Sequence, residues 1–368
     1  GGVMGFVRNF RVIGGVPGQD VTVIPGVPTQ NARTQPESPN AVARDADGDY
    51  VVVWTQTDAS GRNRVYFRLF DRDGTPADLD LNGNGVIDAS EIDNAPATPV
   101  TTSTAFASDD QQNASVAMTP DGDFVVTWTN TRSGNADIYA RRFAASGQAL
   151  GEAFLVNTVT TNDQKWSDVA VDAEGNFVVV WSSWGQEPGG SGSGWGIFAR
   201  RYDQQGQALD ATEFQVNTTV LGDQTLPSVS MDYRGNFAIV WQTAGGIALR
   251  TYDAAGIAQQ LAEIALGTTV VGQKAYPDVA MAASGQYLAV SWMGPDGNGN
   301  GVYVDLLQWD PVGLAWAPVG VSQLVNTTVV GEQGYASVAM AVDGGFIVAW
   351  GGIGSQLNEE DVAESGVF

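Results

Sequence analysis

The chain contains no cysteine and no histidine. The first absence removes disulfides, thiolate nucleophiles and zinc–thiolate centres. The second removes imidazole as a general base and as a metal ligand, so most familiar hydrolase and oxidoreductase chemistry is excluded before any motif is read. Lysine occurs only at Lys165 and Lys274, and 41 acidic against 17 basic side chains leave a formal charge of −24. A field of that sign repels phosphate backbones and anionic lipid, which argues for no nucleic-acid partner. No apolar run approaches the roughly 18 residues of a bilayer-spanning helix, so no membrane insertion is expected. No basic-then-apolar leader opens the sequence. What remains is carboxylate chemistry, binding of a hard cation, or recognition without chemistry.

What is present is glycine, at 46 positions, and aromatic residues, at 10%, in a chain of which only 16% is charged. That mixture, rich in Val, Trp, Phe and Asn, reads as all-β. The stretch Gly175-Asn176-Phe177-Val178-Val179-Val180-Trp181 recurs at Gly48–Trp54, Gly122–Trp128, Gly235–Trp241, Gly285–Trp292 and Gly344–Trp350. The copy ending at Trp292 is one residue longer, which reads as a bulge. Each copy follows a short segment such as Ser115-Val116-Ala117-Met118, Asp168-Val169-Ala170-Val171 or Asp278-Val279-Ala280-Met281. Each precedes an aromatic strand with an arginine in fixed phase, as in Ile138-Tyr139-Ala140-Arg141-Arg142-Phe143, except that Asp305 stands there in Val302–Leu307. A fourth segment, Phe154–Asn157, Phe214–Asn217 or Leu324–Asn326, closes the unit.

Units of four short strands, with a second strand apolar on both faces, fit the blades of a β-propeller, in which each sheet is covered by two neighbours. The last unit, Ser337–Trp350, lacks its third and fourth strands, whereas Gly5–Phe10 resembles a third strand and Val21–Ile24 fits a fourth. The expected fold is therefore a six-bladed β-propeller of four-stranded blades over residues 1–350, its last blade closed by strands from both termini. A tandem row of β-sandwiches is the alternative. Residues 351–368 read as an acidic tail or linker, and the start at Gly1-Gly2-Val3 reads as that of a piece of a longer protein with further domains. In this arrangement the six repeat tryptophans are core, and the phased arginines Arg8, Arg68, Arg141, Arg200 and Arg250 lay their stems on aromatics and bond a carbonyl or carboxylate between blades.

One motif is sharp. Asp80-Leu81-Asn82-Gly83-Asn84-Gly85-Val86-Ile87-Asp88-Ala89-Ser90-Glu91 matches the EF-hand calcium loop at every diagnostic position. By that match Asp80, Asn82 and Asn84 are ligands, Val86 offers its carbonyl, Asp88 binds directly or through water, and Glu91 is bidentate. Gly74, Pro76 and Pro96 forbid flanking helices of any length. The loop, an insertion over residues 79–93 between the third and fourth strands of its blade, is more like the lone loops of dockerin modules than a sensor pair, and implies a structural calcium. Asp296-Gly297-Asn298-Gly299-Asn300-Gly301 begins the same way but has Leu307 in place of the bidentate Glu, so it reads as a turn or a weaker metal site. Asp45–Asp49 and Asp71–Gly74 read as acidic hairpin turns.

The repeat, with its V-A-M-D-x-x-G-N-F-V-V-V-W core, I-Y-A-R-R-F strand and V-N-T-T-x-x-G-D-Q trailer, resembles repeats of very large secreted or surface-attached bacterial proteins that also carry calcium-binding repeats. The resemblance implies an extracellular or cell-surface location and calcium dependence. Ser230, Asp232, Gly235 and Trp241 also resemble the sialidase Asp box, but the Gly-to-Trp spacing is too long and no sialidase residues are carried over. The Gly-rich loop Ser182–Gly196 supplies the candidate ligand residues Trp184, Glu187 and Trp195: aromatics beside a carboxylate suit stacking on a sugar, or else the tryptophans fold back over the sheet. The inner strands offer the channel mostly small and apolar groups, so the expectation is a non-enzymatic adhesion module for a glycan or protein ligand. The alternatives are a calcium-dependent hydrolase or lyase acting at the channel and a structural subunit of a surface assembly.

Overall fold

A computed structural model describes residues 40–74, 77, 97–188, 194–326 and 331–353, together with two short strands at Ala32–Arg33 and Ser365–Val367. Among them there is no α-helix, only a 3-10 turn at Thr104–Phe106. The strands form six antiparallel sheets, numbered here in chain order. Sheet two, typical of the set, runs Asp110–Met118, Phe124–Arg132, Asn135–Phe143 and Phe154–Leu155, each strand hydrogen-bonded to the next. Sheet three repeats it with Gln164–Val171, Phe177–Trp184, Trp195–Tyr202 and Phe214–Gln215. Sheet four uses Gln224–Met231, Phe237–Thr243, Gly246–Tyr252 and Ile264–Leu266. The first strands of consecutive sheets pack side by side, so the sheets stack face to face around them.

The D-x-x-G-N turns explain how each unit reverses. Asp172 Oδ1 accepts from the backbone N–H of Glu174 and of Asn176, both at 2.9 Å, and Gly175 sits at φ +91°. Only glycine takes that left-handed conformation without strain. Asp232 repeats the arrangement, and Asp45 does the same toward Gly48 and Asp49. In sheet five the extra residue of the longer copy lies in the turn, where Ala282 N–H bonds Tyr287 O. Tyr287–Pro295 then pairs with Asn300–Asp310 in unbroken register. The bulge expected there is thus a lengthened turn.

Bulges occur instead on every described inner strand from sheet two to sheet six. The register breaks between Gln112 and Ser115, Lys165 and Asp168, Thr225 and Ser228, Ala275 and Asp278, and Gly334 and Ser337. Within each break one non-glycine residue has positive φ: Asn113, Trp166, Leu226, Tyr276 and Tyr335, at 50–58°. Such a conformation is costly and persists only where the surroundings enforce it.

Packing follows the repeat. Trp128, Trp181, Trp241 and Trp292 are fully buried, and Trp54 and Trp350 nearly so. The arginines act as expected: Arg141, Arg200 and Arg250 lie 5.6–5.7 Å from the ring centres of Phe143, Tyr202 and Tyr252. Their guanidinium groups donate to the carbonyls of Val100, Val156 and Val216 in the preceding sheet. Asp305 replaces this latch with one of opposite polarity, accepting from Gly267 N–H, Trp292 Nε1 and Ser322 Oγ.

The two end sheets differ from the rest. The first pairs Ala32–Arg33 and Val42–Arg44 on one edge of Tyr50–Thr57, continuing through Asn63–Phe70 to Thr98–Pro99. Sheet five adds an unexpected strand, Ala315–Pro318, beside Gln323–Leu324. Sheet six consists of Gln333–Met340, Phe346–Ile353 and Ser365–Val367. Within the segment read as an acidic tail, Ser365–Val367 pairs with the edge of Gly351–Ile353. Gly5–Phe10 and Val21–Ile24 lie outside the described residues. Ile347 is 75% exposed, although its equivalent Val178 is fully buried, and Val42 on the first sheet is 57% exposed.

Candidate functional site

Two features converge on the inner strands. Trp184 and Trp195 are register partners at the loop end of the hairpin formed by the second and third strands of sheet three, and Trp166 stands at the bulge of its inner strand. The ring centres of Trp166 and Trp195 are 4.9 Å apart, and those of Trp184 and Trp195 5.4 Å apart. All three are half-buried, as is Lys165, whose Nζ lies 6.0 Å from the Trp195 ring and 2.6 Å from Asp163. The bulge positions of sheets five and six carry Tyr276 and Tyr335, packed edge to face at 4.6 Å. The end of the sheets at which the inner strands begin is thus rich in partly exposed aromatics.

Glu187 is separate from that face. It is 2% exposed; its Oε1 accepts from Gln215 Nε2 at 3.0 Å and from Asn217 Nδ2, and its Oε2 has no partner. Burial pushes its carboxyl above the usual range. The repeat explains its position. Asn157 and Asn326 likewise donate from Nδ2 to Asp137 and Asp296, while their Oδ1 atoms accept a backbone N–H from the third strand. Glu187 is the sheet-three member of this series. Asp296 is further engaged by Asn298 N–H, an Asx turn.

Glu213 and Glu263 tie sheets together at the same end. Glu213 accepts from Thr158 N and Val159 N, both at 2.9 Å, from Thr158 Oγ1, and from Gln186 Nε2 at 3.0 Å. Burial opposes its charge, but these donors outweigh burial and hold the carboxyl below its ordinary value. Glu263 likewise accepts from the backbone N–H and the hydroxyl of both Thr218 and Thr219.

The second feature was not read from the sequence. Asp168 and Asp278, on the inner strands of sheets three and five, are buried to 0% and 1% exposure. Asp168 accepts from Asn40 Nδ2, Ser115 Oγ, Val169 N and Val229 N; Asp278 accepts from Ser228 Oγ, Val279 N, Ser337 Oγ and Val338 N. Together they join donors from all six sheets. Burial pushes both carboxyls up, Asp278 to about 7, with the charge of Asp168 adding to the effect. These two buried carboxylates stand among the small and apolar groups of the inner strands.

At the opposite end, between sheets three and four, a cleft of about 300 Å³ is lined by Asp172, Glu174, Arg201, Leu209, Tyr233 and Arg234 among others. Arg201 there is paired with Asp210 at 2.6 Å. The Asp80–Glu91 loop lies outside the described residues, and among the described residues no three acidic side chains gather as a metal site.

No family model and no curated protein matches the chain. Solved structures do. A protein of unknown function from Dyadobacter fermentans is similar with a TM-score of 0.55 and 11% identity, over 94% of this chain and 98% of its own. The NanB sialidase of Streptococcus pneumoniae is similar at 0.50 and 8% identity, over 92% and 68%. A neuraminidase-like protein from a flat-faced bat isolate is similar at 0.50 and 10%, over 95% and 90%. These likenesses concern the fold, and they place the stacked sheets with the propellers. They also overturn the expectation of a non-enzymatic protein. A sialidase shares this fold, and two of the inner strands, expected to offer mostly small and apolar groups, each carry a buried carboxylate.

Glu213 offers a test of the geometry. A group whose folded pKa is depressed contributes stability above its unfolded pKa and loses it as pH falls through the folded value. Glu213→Gln should cost about 1.5–3 kcal/mol near neutral pH, and the gap to wild type should close below about pH 4. Urea titrations at several pH values measure both.

Proposed function

We propose that this chain is an extracellular, calcium-stabilised bacterial propeller that engages a glycan at the aromatic face formed by Trp166, Trp184 and Trp195. The Trp cluster carries the reading. Three partly exposed indoles in contact, with a lysine and a carboxylate beside them, provide flat apolar surface and polar groups at its rim, which is what a sugar ring requires. The names of two similar structures, a sialidase and a neuraminidase-like protein, agree with carbohydrate as the ligand class. Charge narrows the class further. With a net charge of −24, and Lys165 already paired with Asp163, the face favours neutral over sialylated glycans.

The six sheets close into a ring in this reading. The faces left open on sheets one and six are the two halves of the junction that is buried everywhere else, and Val42 and Ile347 lie on them. Asp80, Asn82, Asn84, Val86, Asp88 and Glu91 hold the calcium, which braces the insertion of the first blade. Location at the cell surface and attachment to further domains follow from the resemblance of the repeat.

On a glycan array, neutral oligosaccharides should be retained and their sialylated counterparts should not. Trp184→Ala or Trp195→Ala should weaken binding about tenfold, or about 1.4 kcal/mol, with the melting temperature unchanged. Unaltered binding in both variants would remove the site, and sugar release in the same assay would mark the protein as a hydrolase. Calcium should raise the melting temperature and chelation lower it, and Glu91→Gln should abolish the shift. In this cysteine-free chain, cysteines introduced at Val42 and Ile347 should cross-link within one molecule. Cross-linking only between molecules would show that the ring is open.

A further inference from the structure

The axial carboxylates differ in what surrounds them. Of the donors to Asp168, Asn40 Nδ2, Val169 N and Val229 N can only donate, so both carboxylate oxygens must accept. Asp278 is held differently. Each of its oxygens meets one backbone N–H and one serine hydroxyl: Val279 N and Ser228 Oγ at one, Val338 N and Ser337 Oγ at the other. A hydroxyl can turn and accept. Asp278 can therefore take up a proton and donate it to Ser337, whose hydroxyl is exposed and can give its own proton to water.

The surroundings give that proton a reason to stay. From the inner strands of sheets one, two, four and six, the groups facing the pair are Asn40, Ser115, Ser228 and Ser337, all uncharged. From sheet three it is Asp168, a like charge. No lysine or arginine is among the donors to either carboxylate. Two negative charges buried without a cation are costly, and neutralising one of them is the usual resolution.

We propose that Asp168 and Asp278 form a proton-operated clasp at the axis: with Asp278 protonated the inner strands of sheets four, five and six are held firmly, and loss of that proton loosens the junctions. The raised values of both groups accord with this. The sign follows from linkage. A carboxyl whose folded pKa exceeds its unfolded value makes the folded state bind more protons, so stability falls as pH rises between the two values.

Histidine is absent, so no imidazole titrates in this window and the measurement is unusually clean. The melting temperature of the intact chain should drop by several degrees between about pH 5 and about pH 8. Asp137 and Glu187, also raised, contribute to that slope, so the comparison with Asp278→Asn isolates the clasp. The variant should lose most of the drop, whatever its absolute stability. A slope equal to that of wild type would overturn the proposal. If the variant does not fold, carbon-13 NMR of the aspartate carboxyls in the wild-type chain decides: one resonance titrating above about pH 6 supports the clasp, and titration of every aspartate below about pH 5 overturns it.

Discussion

The fold depends on how the inner strands satisfy their backbone at the axis. Each inner strand is the edge of its sheet, so alternate N–H groups face away from its ladder, and five of them, of Val116, Val169, Val229, Val279 and Val338, must find acceptors away from water. Asn40 O serves the first, and two aspartates serve the other four. A buried donor left unmade would cost about 1–3 kcal/mol, so replacing the carboxylates with small apolar side chains would strand several donors together. The positive φ at Asn113, Trp166, Leu226, Tyr276 and Tyr335 is the conformational counterpart of this arrangement. It also sets those residues, several of them aromatic, at the end of the stack where the inner strands begin.

Outside the axis, consecutive sheets are joined by a small set of repeated latches. Arginine on the third strand reaches back to a carbonyl of the preceding unit, and glutamate before the fourth strand holds the threonines of that unit, while asparagine after the fourth strand braces its own sheet by accepting an N–H from the third strand. Sheet five shows that the position matters more than the residue type. Asp305 makes the same connection with donor and acceptor exchanged, finding Gly267 N–H where its counterparts find a carbonyl.

Much of this was legible in the sequence because it repeats. The tryptophans, the turn glycines and the phased arginines recur at fixed offsets, and a residue present in every copy has to serve the interface that every copy shares. The axial pair was not legible for the opposite reason. At its position the copies read Ser115, Asp168, Ser228, Asp278 and Ser337, and an aspartate that alternates with serine looks like a polar substitution at a strand start. Only the stacking of the sheets shows that each acid is placed to receive donors from its neighbours, Ser115 for Asp168, and Ser228 and Ser337 for Asp278. Glu187 misled in a related way. Its place beside two tryptophans in a glycine-rich loop resembled a ligand site, whereas its equivalents Asp137 and Asp296 lie at differently spaced points of their loops and give no common pattern. The expectation of calcium at Asp80–Glu91 is the reverse case: it rests on the twelve positions of one segment and on no neighbour.

The arginine latch has a consequence for how such a chain changes over generations. Its acceptor is a main-chain carbonyl, which every residue type supplies, so the sheet that receives the arginine is under no demand to keep a particular side chain there. Neighbouring units can drift apart, or one can be copied beside another, without breaking the joint between them. A stack of sheets assembled with such connectors preserves its shape long after its parts have ceased to look alike.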